Sequence, residues 1–374
     1  MAGKIRVLVV DDATVVRGML SKLINAEPDM ELAGSAADGK AGIERAKELK
    51  PDVIVLDIDM PIMTGLEALP ILRRELPETP VIIFSTLSQA GAAITLDALA
   101  AGAADYSTKP SKAGSSTAAA DQVRNELLTK IRGLSGRPPE PVASSGTARP
   151  AAAAPAGSAA VSTRPRLAQP VDALIIGSST GGPAALEVTL PKLPSNLTIP
   201  ILIVQHMPPT FTTVLAERLN RICPFPVHEA EQGMKVEAGH CYLAAGGFHM
   251  RLVRDGNGVH LALDDGPKIK SCRPSVDALF DSASDVYGPR LVATILTGMG
   301  DDGLDSCSRL AQHNVEIIVQ DEETSVVWGM PGAVARAGLA TRCLALDEIP
   351  KALLETAARR APSVPRAAKK VVTS

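Results

Sequence analysis

A serine, a histidine and a pair of aspartates each follow an apolar, strand-like run in the C-terminal half of this 374-residue chain. Ser179 lies in the turn GSSTGG, before a segment with helical spacing that begins near Pro183. His206 follows PILIVQ, and Asp301 and Asp302 follow LVATILTGMG. We expect these groups to lie together, because the carboxyl ends of parallel strands meet at one edge of a sheet. A serine needs a base, and the base an orienting acid, so the set predicts a serine hydrolase in which either aspartate could orient the histidine.

The turn GSSTGG also allows a simpler interpretation, a phosphate-cradling or helix-capping turn, because glycine–serine turns are common before helices. We favour the hydrolase because a histidine and an aspartate accompany the serine at strand ends. The chain order of the three residues and the absence of a GxSxG elbow argue against the α/β-hydrolase superfamily. The remaining histidines lie in a β-rich stretch or on a helix, and we interpret them as surface or structural residues: His228, His240, His249, His260 and His313.

A second set of polar residues follows the strand-like runs between about residues 4 and 131: Asp11, Asp12, Asp57, Ser85, Thr86 and Lys109. In a parallel sheet they fall on one edge, so three carboxylates and an ammonium converge there. Clustered carboxylates repel one another, and a hard divalent ion such as Mg²⁺ relieves that repulsion. Any one aspartate alone could be a helix N-cap. The whole set predicts a carboxylate that accepts a phosphoryl group beside a charge-stabilising lysine.

The elements that position both sets alternate between strands and helices. In the N-terminal segment the alternation predicts a five-stranded parallel sheet of the flavodoxin-like type, with helices on both faces. From residue 171 onward it predicts a doubly wound, mainly parallel α/β domain. The alternation is interrupted between about residues 226 and 265, where the turn DGNG indicates an inserted antiparallel β-hairpin at the sheet's edge. The fold class is therefore α/β in both halves.

Composition separates the two halves of the chain. Residues 133–170 are dense in Pro, Ala, Ser and Gly, which predicts a flexible linker. We therefore expect domains at residues 1–132 and 171–355 and a basic tail at 356–374. A net charge of −3 gives no general attraction to nucleic acid or membranes, and no apolar run reaches transmembrane length. We expect a cytoplasmic protein, because its first residues lead directly into a strand, and its five scattered cysteines fit reduced thiols.

The N-terminal segment resembles the receiver domain of two-component response regulators. The matching motifs are DD after the first strand, LDIDMPIMTG around Asp57, and KP after the fifth strand. The resemblance implies that Asp57 is the phosphoacceptor. It also implies that Asp12, Asp57 and the backbone of Asp59 bind Mg²⁺, with Asp11 nearby.

The same resemblance implies a set of switch residues around the fourth and fifth strands. Ser85 aligns best with the family's switch hydroxyl, and Thr86 is the alternative. Tyr106 falls at the position of the switch aromatic residue, three residues before Lys109. Lys109 is then the cation that stabilises the added phosphoryl charge.

Residues 171–354 resemble the catalytic domain of the bacterial chemotaxis protein-glutamate methylesterases, the CheB family. The motifs that carry this resemblance are IGSSTGGPAAL, QHMPPTFTTVLAERL, YLAAGGFHMRL, RPSVDALFDSASDVYG, LTGMGDDG and WGMPGAV. The resemblance implies that Ser179 is the nucleophile and His206 the general base. In the family pattern GMGxDG the acid is the later aspartate, so Asp302 orients the histidine and Asp301 fills the variable place.

The resemblance also implies the reaction and its control. The backbone N–H groups near Thr180 and Met299 are the candidate oxyanion hole. The substrates are glutamate methyl esters, and glutamines, on the cytoplasmic helices of methyl-accepting chemoreceptors, and the phosphodonor is a chemotaxis histidine kinase. Mg²⁺ belongs to the receiver, and the esterase site needs no cofactor. We expect the receiver to inhibit the esterase until Asp57 is phosphorylated. The alternative is a catalytically degenerate scaffold that binds receptors.

Overall fold

The computed structural model describes residues 3–109, 117–136 and 170–358. These residues form two parallel sheets with helices packed against them, together with one separate hairpin. The α/β class predicted for both halves is confirmed. The greater part of the predicted linker and tail lies outside the described residues, although the first two linker positions, residues 133 and 134, continue the last helix of the N-terminal half.

The N-terminal sheet has five parallel strands in the order β2-β1-β3-β4-β5, as predicted. Its strands are β1 (Ile5–Val10), β2 (Met30–Ala36), β3 (Val53–Asp57), β4 (Val81–Ser85) and β5 (Asp105–Thr108). Its helices are α1 (Thr14–Asn25), α2 (Gly39–Leu49), α3 (Gly65–Glu75), α4 (Gln89–Ala100) and α5 (Thr117–Leu134). The central strands β3 and β4 are continuous apolar runs because they are buried on both faces.

Alternating side chains of this sheet contribute to two separate cores. Leu8, Ile54 and Ile83 pack on the side of α2, α3 and α4, whereas Val55 and Phe84 pack on the side of α1 and α5. The helices therefore cover both faces, and all five strands present their carboxyl ends at the same edge.

An ion-pair cluster joins helix α5 to the loop that precedes β2. The Arg132 guanidinium pairs with Glu27 at 2.8 Å and with Asp29 at 2.7 Å. A hydrogen bond from Arg124, followed by one from Arg132, lowers the pKa of Glu27, and the hydrogen bond from Arg132 lowers the pKa of Asp29.

The C-terminal sheet has seven strands in the order β14-β13-β12-β6-β7-β9-β8, and every neighbouring pair is parallel. Its strands are β6 (Ala173–Ser178), β7 (Ile201–Gln205), β8 (Val227–Glu229), β9 (Cys241–Leu243), β12 (Leu291–Ile295), β13 (Glu316–Gln320) and β14 (Arg342–Leu344). Its helices are α6 (Gly182–Thr189), α7 (Phe211–Ile222), α8 (Val276–Tyr287), α9 (Leu304–Gln312), α10 (Met330–Arg336) and α11 (Ile349–Ala357), with a short 3₁₀ turn at Leu190–Lys192. Strand β14 and helix α11 had no counterpart among the predicted elements.

The antiparallel insertion that was predicted covers only part of the region, about residues 226–265, in which the strand–helix alternation is interrupted. Among the strands of the described residues, only β10 (His249–Asp255) and β11 (Gly258–Asp264) pair in antiparallel fashion, as a separate two-stranded sheet around the DGNG turn. Isolated antiparallel bridges also join Lys235 to His260 and Ile269 to Cys272. The short strands β8 and β9 extend the main parallel sheet instead. The hairpin packs on α8, so it covers the flank of the domain.

The two halves pack directly against each other. Helix α4 of the N-terminal half lies against α6 and α7 of the C-terminal half. At the centre of this interface the rings of Tyr106 and Phe211 stack with their centroids 4.6 Å apart. Both rings are buried, so the apolar core is continuous from one half to the other.

Candidate functional site

Three neighbouring strands of the C-terminal sheet end at the serine, histidine and aspartate predicted from the sequence. Ser179 follows β6 and His206 follows β7, while Asp302 lies in the loop after β12. Because β12, β6 and β7 are adjacent in the sheet, the three residues belong to one edge.

The geometry distinguishes the two aspartates that could orient His206. Asp302 is buried and its Oδ2 lies 2.8 Å from His206 Nε2, whereas Asp301 is exposed and pairs with Lys270 at 3.8 Å. The start of α8 also donates to Asp302, from the Ser275 hydroxyl and from the backbone N–H groups of residues 276 and 277. Burial alone would raise the pKa of Asp302, but the bond and charge of His206 and these N–H groups lower it to about 2.

Gln205 holds the serine turn against the histidine strand. Its Oε1 accepts a hydrogen bond from Ser178 Oγ at 2.7 Å, and its Nε2 donates to the Ser179 carbonyl at 2.9 Å. The His206 N–H donates to the Ser178 carbonyl at 3.1 Å, so the two strand ends are joined by backbone as well. Gln205 is buried and was not singled out in the sequence, where it is simply the last residue of an apolar strand.

The loop after β12 packs tightly on the serine. The Ser179 N–H donates to the Thr297 carbonyl at 3.1 Å. A Cβ added at Gly298 would lie 2.9 Å from Ser179 Cβ, so only glycine permits this approach. Within the described residues, the N–H groups of Thr180 and Met299 donate to no other group, which leaves both available at the predicted oxyanion position.

Cys272 is a neighbour of the histidine that the sequence did not reveal. Its Sγ lies 3.5 Å from His206 Nδ1, on the opposite side of the ring from Asp302. Burial disfavours the imidazolium, but the Cys272 sulfur and the Asp302 carboxylate outweigh it and raise the pKa of His206 to about 10. Nε2 is therefore bound to Asp302 and Nδ1 faces the Cys272 sulfur, and no hydrogen bond joins the Ser179 hydroxyl to the ring in the described parts of the chain.

The second predicted set surrounds the carboxyl end of β3 in the N-terminal half. Lys109 Nζ lies 2.7 Å from Asp57 Oδ2 and 3.0 Å from Asp11 Oδ2. Burial raises the pKa of Asp57, with a contribution from Asp11, although Lys109 opposes it. Burial would likewise lower the pKa of Lys109, yet the two carboxylates raise it. The ammonium therefore stays charged beside Asp57.

These carboxylates fit a hard divalent ion. Oxygens of Asp11, Asp12 and Asp57 lie within 4.8 Å of one another, although Lys109 contacts only Asp11 and Asp57. An all-oxygen donor set of this kind suits Mg²⁺. Asp12, Asp57 and Asp59 line a cavity of about 210 Å³ that is also lined by Ser85, Thr86 and Lys109.

The predicted switch residues occupy different surroundings. Ser85 is buried at the end of β4 and Thr86 is exposed, and both reach the cavity. Tyr106 instead faces the other half of the protein, where it stacks on Phe211 and lies under the Lys130 ammonium, 4.7 Å from the ring centroid.

Two contacts join the N-terminal half to the residues beside Ser179. The Thr180 hydroxyl donates to Asp105 Oδ2 at 2.6 Å, and both residues are buried. On the other side of Ser179, Gly133 of α5 packs against the Met299 side chain. The fit is so close that a Cβ added at Gly133 would lie only 2.1 Å from Met299 Cε. Both candidate oxyanion residues are thus touched by the N-terminal half.

None of the helices in the described ranges is long and apolar enough to cross a membrane.

Two family models match separate parts of the chain. The family model for the response regulator receiver domain matches residues 7–121, and the model for CheB methylesterase matches residues 174–353. A protein-glutamate methylesterase/protein-glutamine glutaminase of Nocardioides sp. is 43% identical over 96% of this chain and 97% of its own length. A protein-glutamate methylesterase/protein-glutamine glutaminase of Caulobacter vibrioides is 44% identical over 92% of this chain and 96% of its own length.

Among solved structures, the CheB methylesterase catalytic domain of Thermotoga maritima is 42% identical and covers 50% of this chain and 98% of its own, with a TM-score of 0.49. The two family models and the relatives that match along nearly the whole chain agree with the sequence motifs. The chain belongs to the CheB methylesterase family, with a response-regulator receiver domain before the methylesterase domain.

Proposed function

We propose that this protein is a phosphorylation-controlled serine hydrolase that removes methyl groups from glutamate methyl esters of chemoreceptors and deamidates receptor glutamines. The observation that supports the proposal is that Ser179, His206 and Asp302 follow three adjacent strands, with Asp302 bound to His206 at 2.8 Å. The full-length relatives, named as methylesterases and glutaminases, support the same activity.

In the proposed reaction the Ser179 hydroxyl attacks the ester carbonyl while His206 takes its proton. The imidazolium passes that proton to the leaving methoxide, and methanol departs from a γ-glutamyl ester on the serine. A water molecule, deprotonated by His206, then hydrolyses this ester and releases the glutamate carboxylate. With a glutamine substrate the leaving group is ammonia. The N–H groups of Thr180 and Met299 stabilise the oxyanion in both steps.

The receiver controls this reaction through Asp57, which we propose as the phosphoacceptor. The Asp57 carboxylate attacks the phosphoryl group of a donor, and Lys109 pairs with the charge that arrives. Ser85 is the hydroxyl that moves toward the phosphoryl group, since it ends β4 at the cavity wall. Asp12, Asp57 and the backbone of Asp59, with Asp11 nearby, would hold Mg²⁺, which would supply positive charge to neutralise the donor and acceptor oxygens.

Receiver packing is the proposed inhibitory state. Asp105 and α5 touch the residues on both sides of Ser179, so a receptor helix has no free approach to the serine while the halves stay together. Phosphorylation of Asp57 loosens this packing. The segment 133–170 acts as the linker that lets the domains 1–132 and 171–355 separate, with 356–374 as a tail.

The partners follow from this assignment. The substrate proteins are methyl-accepting chemoreceptors, the phosphodonor is a chemotaxis histidine kinase, and the enzyme works in the cytoplasm without inserting into the membrane. A degenerate receptor-binding scaffold is disfavoured because the serine, histidine and aspartate are all present.

The test is methanol release from radiomethylated receptor membranes, with and without Mg²⁺ and a small phosphodonor. Wild type is expected to be active and stimulated, Ser179→Ala inactive, and Asp57→Asn limited to the basal rate. Asp302→Asn should lose activity, while its exposed neighbour variant Asp301→Asn keeps it. Wild-type protein that takes up phosphate on Asp57 but releases no methanol would refute the esterase assignment.

A further inference from the structure

We propose that His206 and Cys272 form a binding site for a thiophilic divalent cation of the Zn²⁺ class, and that occupation of this site stops the esterase. The binding itself is independent of the proposed function, and only the inhibition rests on it. Within the described residues, His206, Cys272 and Asp302 form one of two clusters whose donor atoms lie within 4.8 Å of one another.

The spacing of the two donors fits zinc. Bonds of about 2.0–2.1 Å to nitrogen and about 2.3 Å to sulfur at a tetrahedral angle place the nitrogen and sulfur about 3.6 Å apart. His206 Nδ1 and Cys272 Sγ lie 3.5 Å apart. An ion between them therefore needs almost no movement of either side chain.

The histidine is also oriented as a metal ligand requires. In the neutral ring the Nε2–H donates to Asp302, so the lone pair lies on Nδ1 and faces Cys272. A carboxylate on the far nitrogen of a ligating histidine fixes the tautomer and strengthens the ligand. Asp302 is itself held by three donors from the start of α8, which keeps the ring from turning.

The site differs in chemistry from the receiver's own ion site. The receiver offers only carboxylate oxygens, which suit Mg²⁺, whereas His206 and Cys272 offer nitrogen and sulfur, which suit Zn²⁺. Cys272 is partly exposed, so an ion can reach it from solvent, and solvent fills the remaining coordination positions. On binding, the Cys272 thiol and the Nδ1 nitrogen of the His206 ring lose their protons to solvent, and the sulfur becomes a thiolate ligand.

The inhibition follows because the ion binds the nitrogen of His206 that serves as the general base. Since Nε2 is bound to Asp302, Nδ1 is the nitrogen left to accept the Ser179 proton. An ion bound to Nδ1 removes the general base while it leaves the fold and the receiver intact. A chelator that strips the ion restores the base.

Binding can be measured without activity, by titrating the full chain with Co²⁺ in a non-thiol reductant and following thiolate-to-cobalt charge-transfer absorption. Wild type and Ser179→Ala are expected to show the band at one equivalent, and Cys272→Ser to lose it. Cys343→Ser is the matched control, because Cys343 is also partly exposed and belongs to neither candidate metal cluster of the described residues. A band that survives in Cys272→Ser, or is absent from wild type, overturns the site.

Inhibition is then measured as methanol release against Zn²⁺ concentration, with each variant compared to its own zinc-free rate. Cys272→Ser should raise the half-inhibitory concentration by at least about tenfold, because one of two protein ligands is lost. Cys343→Ser should leave that concentration unchanged, and a chelator should restore the wild-type rate. Equal zinc sensitivity in wild type and Cys272→Ser contradicts the inhibitory role. A cobalt band in a protein that never releases methanol contradicts the esterase assignment but leaves the metal site standing.

Discussion

The hydrogen bond from Thr180 to Asp105 gives the sharpest test of inhibition by the receiver. In the packed state the Asp105→Ala variant leaves the Thr180 hydroxyl buried without an acceptor, whereas in the separated state water solvates it. A hydrogen bond to a charged group contributes about 1.5–3 kcal/mol. The equilibrium between packed and separated halves should therefore shift toward separation by about 10-fold to about 150-fold.

The same substitution removes a partner of Lys130, but that loss largely cancels in the free-energy difference between the packed and the separated states. Lys130 Nζ pairs with Asp105 at 3.2 Å and with Glu126 at 3.0 Å, and all three residues belong to the receiver. Because these contacts lie within one half, separation of the halves does not itself break them. The change in docking energy is therefore assigned to the bond that crosses the interface.

The assay is methanol release without a phosphodonor, in an Asp57→Asn background so that phosphorylation cannot contribute. Asp105→Ala should raise this basal rate by about tenfold or more, up to the rate of the fully separated enzyme. The control is Asp97→Ala, which removes an exposed interdomain pair with Arg218. Such pairs contribute about 1 kcal/mol or less, so the rate should rise less than about fivefold. An unchanged rate in Asp105→Ala would refute the inhibitory role of this contact.

Three further outcomes are expected. Gly133→Leu places a side chain into Met299 at the interface, so the basal methanol release should rise, while an equal rate would mean that α5 does not restrain the site. Gln205→Leu removes both side-chain bonds that hold the Ser179 turn, so kcat should fall about tenfold and the free energy of unfolding by about 1–3 kcal/mol, measured by steady-state assay and urea melts. Arg132 lowers the pKa of its two carboxylate partners, so its contribution is present above their unfolded pKa and lost as pH falls through the lowered values. The melting temperatures of wild type and Arg132→Gln should therefore differ at neutral pH and converge in acid, and a gap that is the same at every pH would contradict this.

Much of the fold follows from local patterns in the sequence. Continuous apolar runs fix the central strands β3, β4, β6 and β7, and the polar residues after them fix which edge carries the chemistry. Strand β14 was missed because only three half-buried residues form it at the edge of the sheet. Nothing in the sequence indicated that the short strands β8 and β9 extend the parallel sheet, since a three-residue strand carries no signal for its partner.

The parts of the site that escaped the sequence depend on contacts between distant segments. Cys272 lies 66 positions from His206 in the chain, and its loop gives no motif for an approach to the imidazole. Gln205 looked like the end of a strand until its two bonds to the serine turn were located. By spacing alone, Asp301 and Asp302 were equally good candidates for the acid. In the structure, the burial of Asp302 and its hydrogen bonds from the start of α8 distinguish it from Asp301.

The two sites are linked by one strand, which offers a physical route for the proposed control of the serine by Asp57. Strand β5 begins with Asp105 and Tyr106, which hold the interface, and Lys109 follows its last residue and pairs with Asp57. A phosphoryl group on Asp57 adds negative charge beside Lys109, and only about five residues of extended chain separate that charge from the Thr180 contact. Helix α4 offers a parallel path, because it follows the Ser85 loop and packs on α6 and α7. Since one interface bond is worth about 1.5–3 kcal/mol, a small displacement of either element is enough to shift the docking equilibrium by an order of magnitude.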